Sequence, residues 1–218
     1  MGHQSLHSRM TTVEPFEAPG VRGELHRPDR PSGWGLVLTH GAGGNRGAPL
    51  LVAAAMAFAA VGALVLRCDL PFRQRRPKGP PSPSTAAADR EGLRLAVEAM
   101  RGLGAARIAL GGQSYGGRQA TMLAAETADL VDSLLLFSYP LHPPGKPDRL
   151  RTEHFPRLRV PCLFVQGSAD PFGTSAELGP AIASIPGRTA LIPIEGAGHD
   201  LKRGRFDLDA VVKESMRL

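Results

Sequence analysis

The chain has 218 residues, of which 42% are hydrophobic and 21% charged, a balance that suits one soluble globular domain with a sizeable core. Its formal charge is +6, but one basic cluster carries much of it. No zinc-type Cys/His spacing, basic helix with interleaved aromatics or nucleic-acid module accompanies the charge, so it reads as a local patch rather than a nucleic-acid-binding face.

The N-terminal MGHQSLHSRM lacks the apolar core of a secretory signal, and a cytoplasmic protein is expected. Residues 1–20 read as an irregular leader, followed by a single domain over 21–218. Val21 to His26 is predicted as an edge strand, ended by Pro28 and Pro31. Gly35 to Thr39 is a buried-strand candidate leading into the glycine-rich loop His40 to Asn45. A helix is predicted from Pro49 to Val61 and a strand from Ala63 to Cys68. Leu50 to Leu66 has no polar side chain, but it is rich in Ala and Gly and just short of spanning length. It is expected to be a buried helix running into a buried strand rather than a membrane span.

Leu70 to Ser84 reads as a loop, because its five prolines oppose regular structure. A helix follows over Thr85 to Arg101, with Leu93, Val97 and Met100 on one stripe. Arg107 to Gly111 is a strand, the sequence GQSYG (Gly112 to Gly116) a tight turn, and the Ala-rich stretch after it a helix. Strands are predicted at Leu134–Ser138, Pro161–Gln166 and Ala190–Ile194, with helices at Ala176–Ser184 and over the Leu208, Val211, Val212, Met216 stripe. Cys68 and Cys162 fall in apolar runs and read as buried reduced thiols. This alternation predicts a doubly wound α/β fold, its sheet mainly parallel and flanked by helices.

In such sheets function collects beyond the C-terminal ends of the strands. In a chain with 26 glycines the pentapeptide alone is weak, so its context carries the inference. Between a strand and a helix, Ser114 is a candidate nucleophile. It needs an imidazole to take its proton and an acid to orient that imidazole. His199 follows the last strand and is the candidate base. Asp170 follows the preceding strand and is the candidate acid, with a turn or helix-capping role as its alternative and Asp69 as the rival acid. Backbone donors for an oxyanion are expected at Tyr115 and at Ala42, with Gly43 next in line. A phosphate-cradling loop is the competing reading of residues 40–45, but the lysine and spacing of such loops are missing.

These residues resemble the α/β-hydrolase superfamily, and more narrowly its dienelactone-hydrolase-like branch related to the KANL3/Tex30 proteins. The narrower likeness rests on THGAGG (Thr39 to Gly44), LPFRQRRPKGPP (Leu70 to Pro81), GGQSYGGRQA (Gly111 to Ala120), SYPLHPPGKP (Ser138 to Pro147), LRTEHF (Leu150 to Phe155), QGSADPFG (Gln166 to Gly173) and GAGHD. The resemblance implies a Ser114, Asp170, His199 triad and an oxyanion hole from Ala42 and Tyr115. It names no substrate. Between the later strands no insertion is long enough for a large lid domain. Cysteine is the nucleophile in some dienelactone-hydrolase-like proteins, whereas serine stands at position 114 here.

The expected activity is cleavage of a small ester or thioester through an acyl-enzyme, without cofactor or metal. A non-catalytic scaffold docking through its basic loops is the alternative. Gly43, Phe72, Tyr139 and His142 are candidate substrate contacts, with Tyr115 and His154 as further pocket residues. Arg73, Arg75, Arg76, Lys78, Lys146, Arg149 and Arg151 form either a positive rim for an anionic substrate or a solvated basic surface. Arg118 is read as anchoring its helix to a loop. The expected partner is a small-molecule ester; neither nucleic acid nor membrane is expected.

Overall fold

The computed structural model describes residues 10–204 and 206–218. Among these residues eight strands form one sheet: β1 (Thr11–Ala18), β2 (Val21–Pro28), β3 (Trp34–Thr39), β4 (Leu64–Asp69), β5 (Arg107–Gln113), β6 (Ser133–Phe137), β7 (Cys162–Gly167) and β8 (Thr189–Ile194). Their spatial order is β1-β2-β4-β3-β5-β6-β7-β8. The β1–β2 and β2–β4 pairs are antiparallel, and all pairs from β4 through β3 to β8 are parallel. Among the described residues six helices accompany it: α1 (Pro49–Ala60), α2 (Pro71–Arg75), α3 (Ala86–Gly102), α4 (Tyr115–Glu126), α5 (Ser175–Ile182) and α6 (Leu208–Ser215).

The central strands carry continuous apolar runs because both faces of the sheet are covered. Leu36 and Leu38 of β3, with Leu135 and Phe137 of β6, pack with Leu51 and Phe58 of α1 and Val211 of α6. Val37 between them, with Leu134 and Leu136, faces the other layer, where Leu93 and Met100 of α3 and Leu123 of α4 pack. The apolar 50–66 stretch is resolved by this arrangement into α1, a turn at Gly62 and buried β4. No helix among the described residues is long and apolar enough to cross a membrane. Cys68 and Cys162 are buried and free.

Three expectations are corrected. The N-terminal stretch is not irregular over residues 11–18: it forms β1, paired along its full length with β2. The edge position therefore belongs to β1, and β2 lies inside the sheet between β1 and β4. β1 is mostly exposed, contains Pro15 and carries few apolar residues, so it lacks the pattern that marks a buried strand. The rest of the predicted leader, residues 1–9, lies outside the described residues. The proline-rich segment also holds regular structure, the short helix α2 and a 3-10 turn at Pro83–Thr85. Pro71 and Pro83 both occupy first-turn positions, where a missing N–H costs nothing.

Candidate active site

The elbow after β5 is the most constrained backbone in the cleft. Ser114 has φ 52° and ψ −118°, a region that costs a non-glycine residue of order 1–3 kcal/mol. The flanking glycines are required by contact rather than by φ. A Cβ on Gly112 would stand 2.5 Å from the Thr39 carbonyl oxygen, and one on Gly116 would stand 2.6 Å from that of His40. β3 and the loop after it thus press directly on the turn, which is held by Ser114 N–H donating to Phe137 O at 2.9 Å.

Ser114 Oγ lies 2.8 Å from His199 Nε2. His199 Nδ1 lies 2.8 and 2.9 Å from the two carboxylate oxygens of Asp170. Asp170 is 1% exposed and is itself oriented: Oδ1 accepts from Phe172 N–H at 2.8 Å and Oδ2 from Gln166 Nε2 at 3.1 Å. Gln166 ties this acid to its surroundings by accepting from Tyr139 N–H at 2.7 Å and donating to Gly173 O at 2.6 Å. The Phe172 ring lies against the imidazole, centroids 4.3 Å apart at 33°. Gln166 and Phe172 were missed from the sequence, although they sit four residues before and two after Asp170 in the same QGSADPFG run.

The loop after β3 is pinned from below and from the side. His40 is buried; Leu70 N–H donates to its Nε2 at 3.1 Å, so Nδ1 carries the proton and donates to Gly41 O at 2.8 Å. Burial holds its pKa below the ordinary value, consistent with a neutral ring using both nitrogens. The Arg73 guanidinium donates to Gly44 O at 2.8 Å, Ala42 O at 2.9 Å, Gly79 O at 3.0 Å and Arg76 O at 3.2 Å. Among the described residues, no acceptor meets the backbone N–H of Ala42 or Tyr115, and both residues line the cleft above Ser114.

That cleft has a volume of about 730 Å³ and is walled by the 41–44 loop, Pro80 to Pro83, the start of α4, Pro140, Arg151, Phe172 and His199. Gly43 lines it as expected. Phe72, Tyr139 and His142 do not, and their assignment as substrate contacts is corrected. Phe72 is a core residue stacked edge-on against His40 and Tyr115. Tyr139 is fully buried and donates from its hydroxyl to Arg151 O at 2.7 Å. His142 is buried beside Glu177, 3.4 Å away, under a separate depression. His154 is buried on Thr121 Oγ1 at 2.8 Å. The Tyr115 side chain turns into the protein, where its hydroxyl donates to buried Asp89 at 2.8 Å.

Asp69 is occupied elsewhere, accepting from Arg46 N–H at 2.7 Å and pairing with the Arg46 guanidinium. Arg73 leaves the proposed basic rim, because it is buried and spends its donors on loop carbonyls. Arg75, Arg76, Lys78, Lys146 and Arg149 are exposed.

The sheet order, the strained elbow after β5 and three polar residues meeting at one sheet edge define an α/β-hydrolase-type fold. The chain belongs to the alpha/beta hydrolase domain family, whose model matches residues 33–214. Among solved structures it is similar to a dienelactone hydrolase from Anabaena variabilis ATCC 29413 at TM-score 0.72, 20% identity and 97% of each chain. It is also similar to XC6422 from Xanthomonas campestris, described as an α/β serine hydrolase without a lid, at TM-score 0.72 and 19% identity over 95% of this chain and 94% of that one. Est1E from Butyrivibrio proteoclasticus matches at TM-score 0.71 and 16% identity, covering 94% and 97%. At these identities the likeness is one of fold.

Proposed function

We propose that the protein is a cofactor-free serine hydrolase that cleaves a small ester or thioester through an acyl-enzyme. The observation that carries this reading is the continuous hydrogen-bonded chain from Ser114 Oγ through His199 to buried Asp170, opening on a cleft. His199 Nε2 takes the hydroxyl proton as Ser114 Oγ bonds to the carbonyl carbon. The negative charge then forming on the carbonyl oxygen is met by the N–H groups of Ala42 and Tyr115. His199 returns the proton to the leaving oxygen or sulfur as that bond breaks. A water, deprotonated by the same imidazole, releases the acid and restores the serine. Asp170 holds the Nδ1–H tautomer and offsets the imidazolium charge in both halves.

Membership of the hydrolase family supports the reading at the level of a hydrolase. The narrower dienelactone-hydrolase-like, KANL3/Tex30-related placement rests on the sequence blocks, and the location in a reducing compartment rests on two free buried thiols. Turnover of para-nitrophenyl acetate by the wild type, lost in both Ser114→Ala and His199→Ala, is expected. A folded wild type with no turnover above buffer of this or longer-chain esters favours the scaffold alternative instead.

A further inference from the structure

Three residues lining the cleft carry side-chain nitrogen donors with few or no acceptors among the described residues. Arg118, one turn into α4, lines the cleft, and its Nε is buried without a hydrogen-bond partner among the described residues. Its guanidinium forms no ion pair there either, so it does not serve as the loop anchor expected from the sequence. Gln119 lines the same cleft and is fully buried. Arg90 donates to Gln119 Oε1 at 3.1 Å, which sets the amide's orientation, because a guanidinium can only face the oxygen. Gln119 Nε2 is left buried and unpartnered. Arg151, from the loop after β6, also lines the cleft, and its side chain makes one long contact, 3.4 Å to Pro140 O.

Arg118 and Arg151 are close enough for like charge to matter. Burial, then the Arg118 charge, pushes the Arg151 pKa down. Burial, then the same charge, holds His154 at about 4, so its ring is neutral. Glu153, the acidic residue in this neighbourhood, is exposed and forms no ion pair with either arginine. Elsewhere buried and half-buried arginines have partners. Arg46 pairs with Asp69, Arg67 with Glu24, Arg90 with Glu126 at 2.8 Å, and Arg73 meets four carbonyls. Two arginines without an ion pair among the described residues and a buried idle amide, all lining one cleft, leave a place for an anion.

We propose that Arg118 and Arg151, backed by the Gln119 amide, form an anion-binding subsite of the cleft and that the substrate is an ester carrying a carboxylate. The identity of the substrate rests on the hydrolase reading above, whereas the subsite itself does not. A planar carboxylate suits guanidinium and amide donors and would sit in the same cleft as Ser114, on either the acyl or the leaving side of the scissile bond.

Two pairs of substrates separate those sides: mono-para-nitrophenyl adipate against para-nitrophenyl hexanoate, and para-acetoxybenzoate against para-acetoxybenzamide. In one pair the wild type is expected to prefer the carboxylate member by roughly tenfold or more in kcat/KM, and Arg118→Gln to cut that ratio at least about threefold. Arg151→Gln, on a different segment, is expected to lower the same ratio and keeps the test open if Arg118→Gln fails to fold. Glutarate, but not neutral glutaramide, is expected to raise the melting temperature of Ser114→Ala, and this shift should vanish when Arg118→Gln is added. Turnover of both members of each pair at equal kcat/KM, with no glutarate shift, overturns the subsite while leaving the hydrolase reading intact. No turnover of any ester together with an Arg118-dependent glutarate shift removes the hydrolase reading and upholds the subsite.

Discussion

Replacing Gly116 by alanine puts a methyl group between α4 and the end of β3. The new Cβ would lie 2.6 Å from both the His40 carbonyl oxygen and Thr39 Cγ2, and 3.2 Å from the Thr39 carbonyl carbon. A carbon–oxygen approach of about 3.3 Å is already close, so roughly 0.7 Å must be found. β3 cannot readily supply it: Thr39 Oγ1 donates to Cys68 O at 3.1 Å and both nitrogens of the His40 ring are bonded. Overpacking of this kind costs about 1–3 kcal/mol, and the upper half of that range applies where the clash is with backbone. Alanine's helix propensity returns about 1 kcal/mol. The net loss of about 1–2 kcal/mol corresponds to a melting temperature lower by roughly 2–8 °C in a chain of this size. Because α4 must tip away from the 41–44 loop, Ser114 and the Tyr115 N–H move relative to Ala42, and kcat/KM for para-nitrophenyl acetate should fall roughly a hundredfold. Gly43→Ala is the stability control, since its Cβ meets nothing within 4 Å, and its melting temperature should match the wild type. A Gly116→Ala protein with wild-type melting temperature and wild-type kcat/KM would refute this account of the elbow.

Asp170→Asn keeps the shape but removes the charge that fixes the His199 tautomer, and kcat should fall on the order of a thousandfold or more with the fold retained by circular dichroism; a loss under tenfold would remove Asp170 from the role. Arg73→Met strips four carbonyl contacts from the 41–44 and 76–79 loops. It should lower kcat more than it raises KM, by roughly tenfold or more, because it loosens a donor that acts on the transition state; a pure KM effect would contradict this. His26 and His154 are each held at about 4 against an ordinary 6.5, mainly by burial, with Arg67 and Arg118 respectively as the next cause. The unfolded chain therefore takes up these protons first as pH falls. Their contribution to stability is full above 6.5 and is lost towards 4, so the urea midpoint should drop between about pH 7 and about pH 5, less steeply in His154→Gln. A midpoint that is flat or rises over that interval would show that these rings are not kept neutral by the fold.

The parallel sheet and the elbow were legible because each rests on local pattern. The apolar runs of β3 to β7 are forced by burial on both faces, and the glycines at 112 and 116 by contacts that any strand–elbow–helix of this kind makes. β1 was not legible: TTVEPFEA is exposed and proline-bearing, and its pairing with β2 is a tertiary fact. Phe72, Tyr139 and His142 were placed in the cleft because their segments follow strand ends, but segment position does not say which way a side chain turns. All three turn into the protein. Arg118 was visible one turn after Ser114. That it lacks a partner depends on what Gln119, Arg151 and Glu153 do, and those relations lie across separate parts of the chain.

The central claim, that Ser114 is an activated nucleophile, is tested most directly by a fluorophosphonate probe and mass spectrometry of the intact and digested protein. The account predicts one covalent adduct on the peptide containing Ser114, absent in Ser114→Ala and strongly slowed in His199→Ala. A folded wild type that remains unlabelled, or an adduct on another serine that persists in Ser114→Ala, would contradict it.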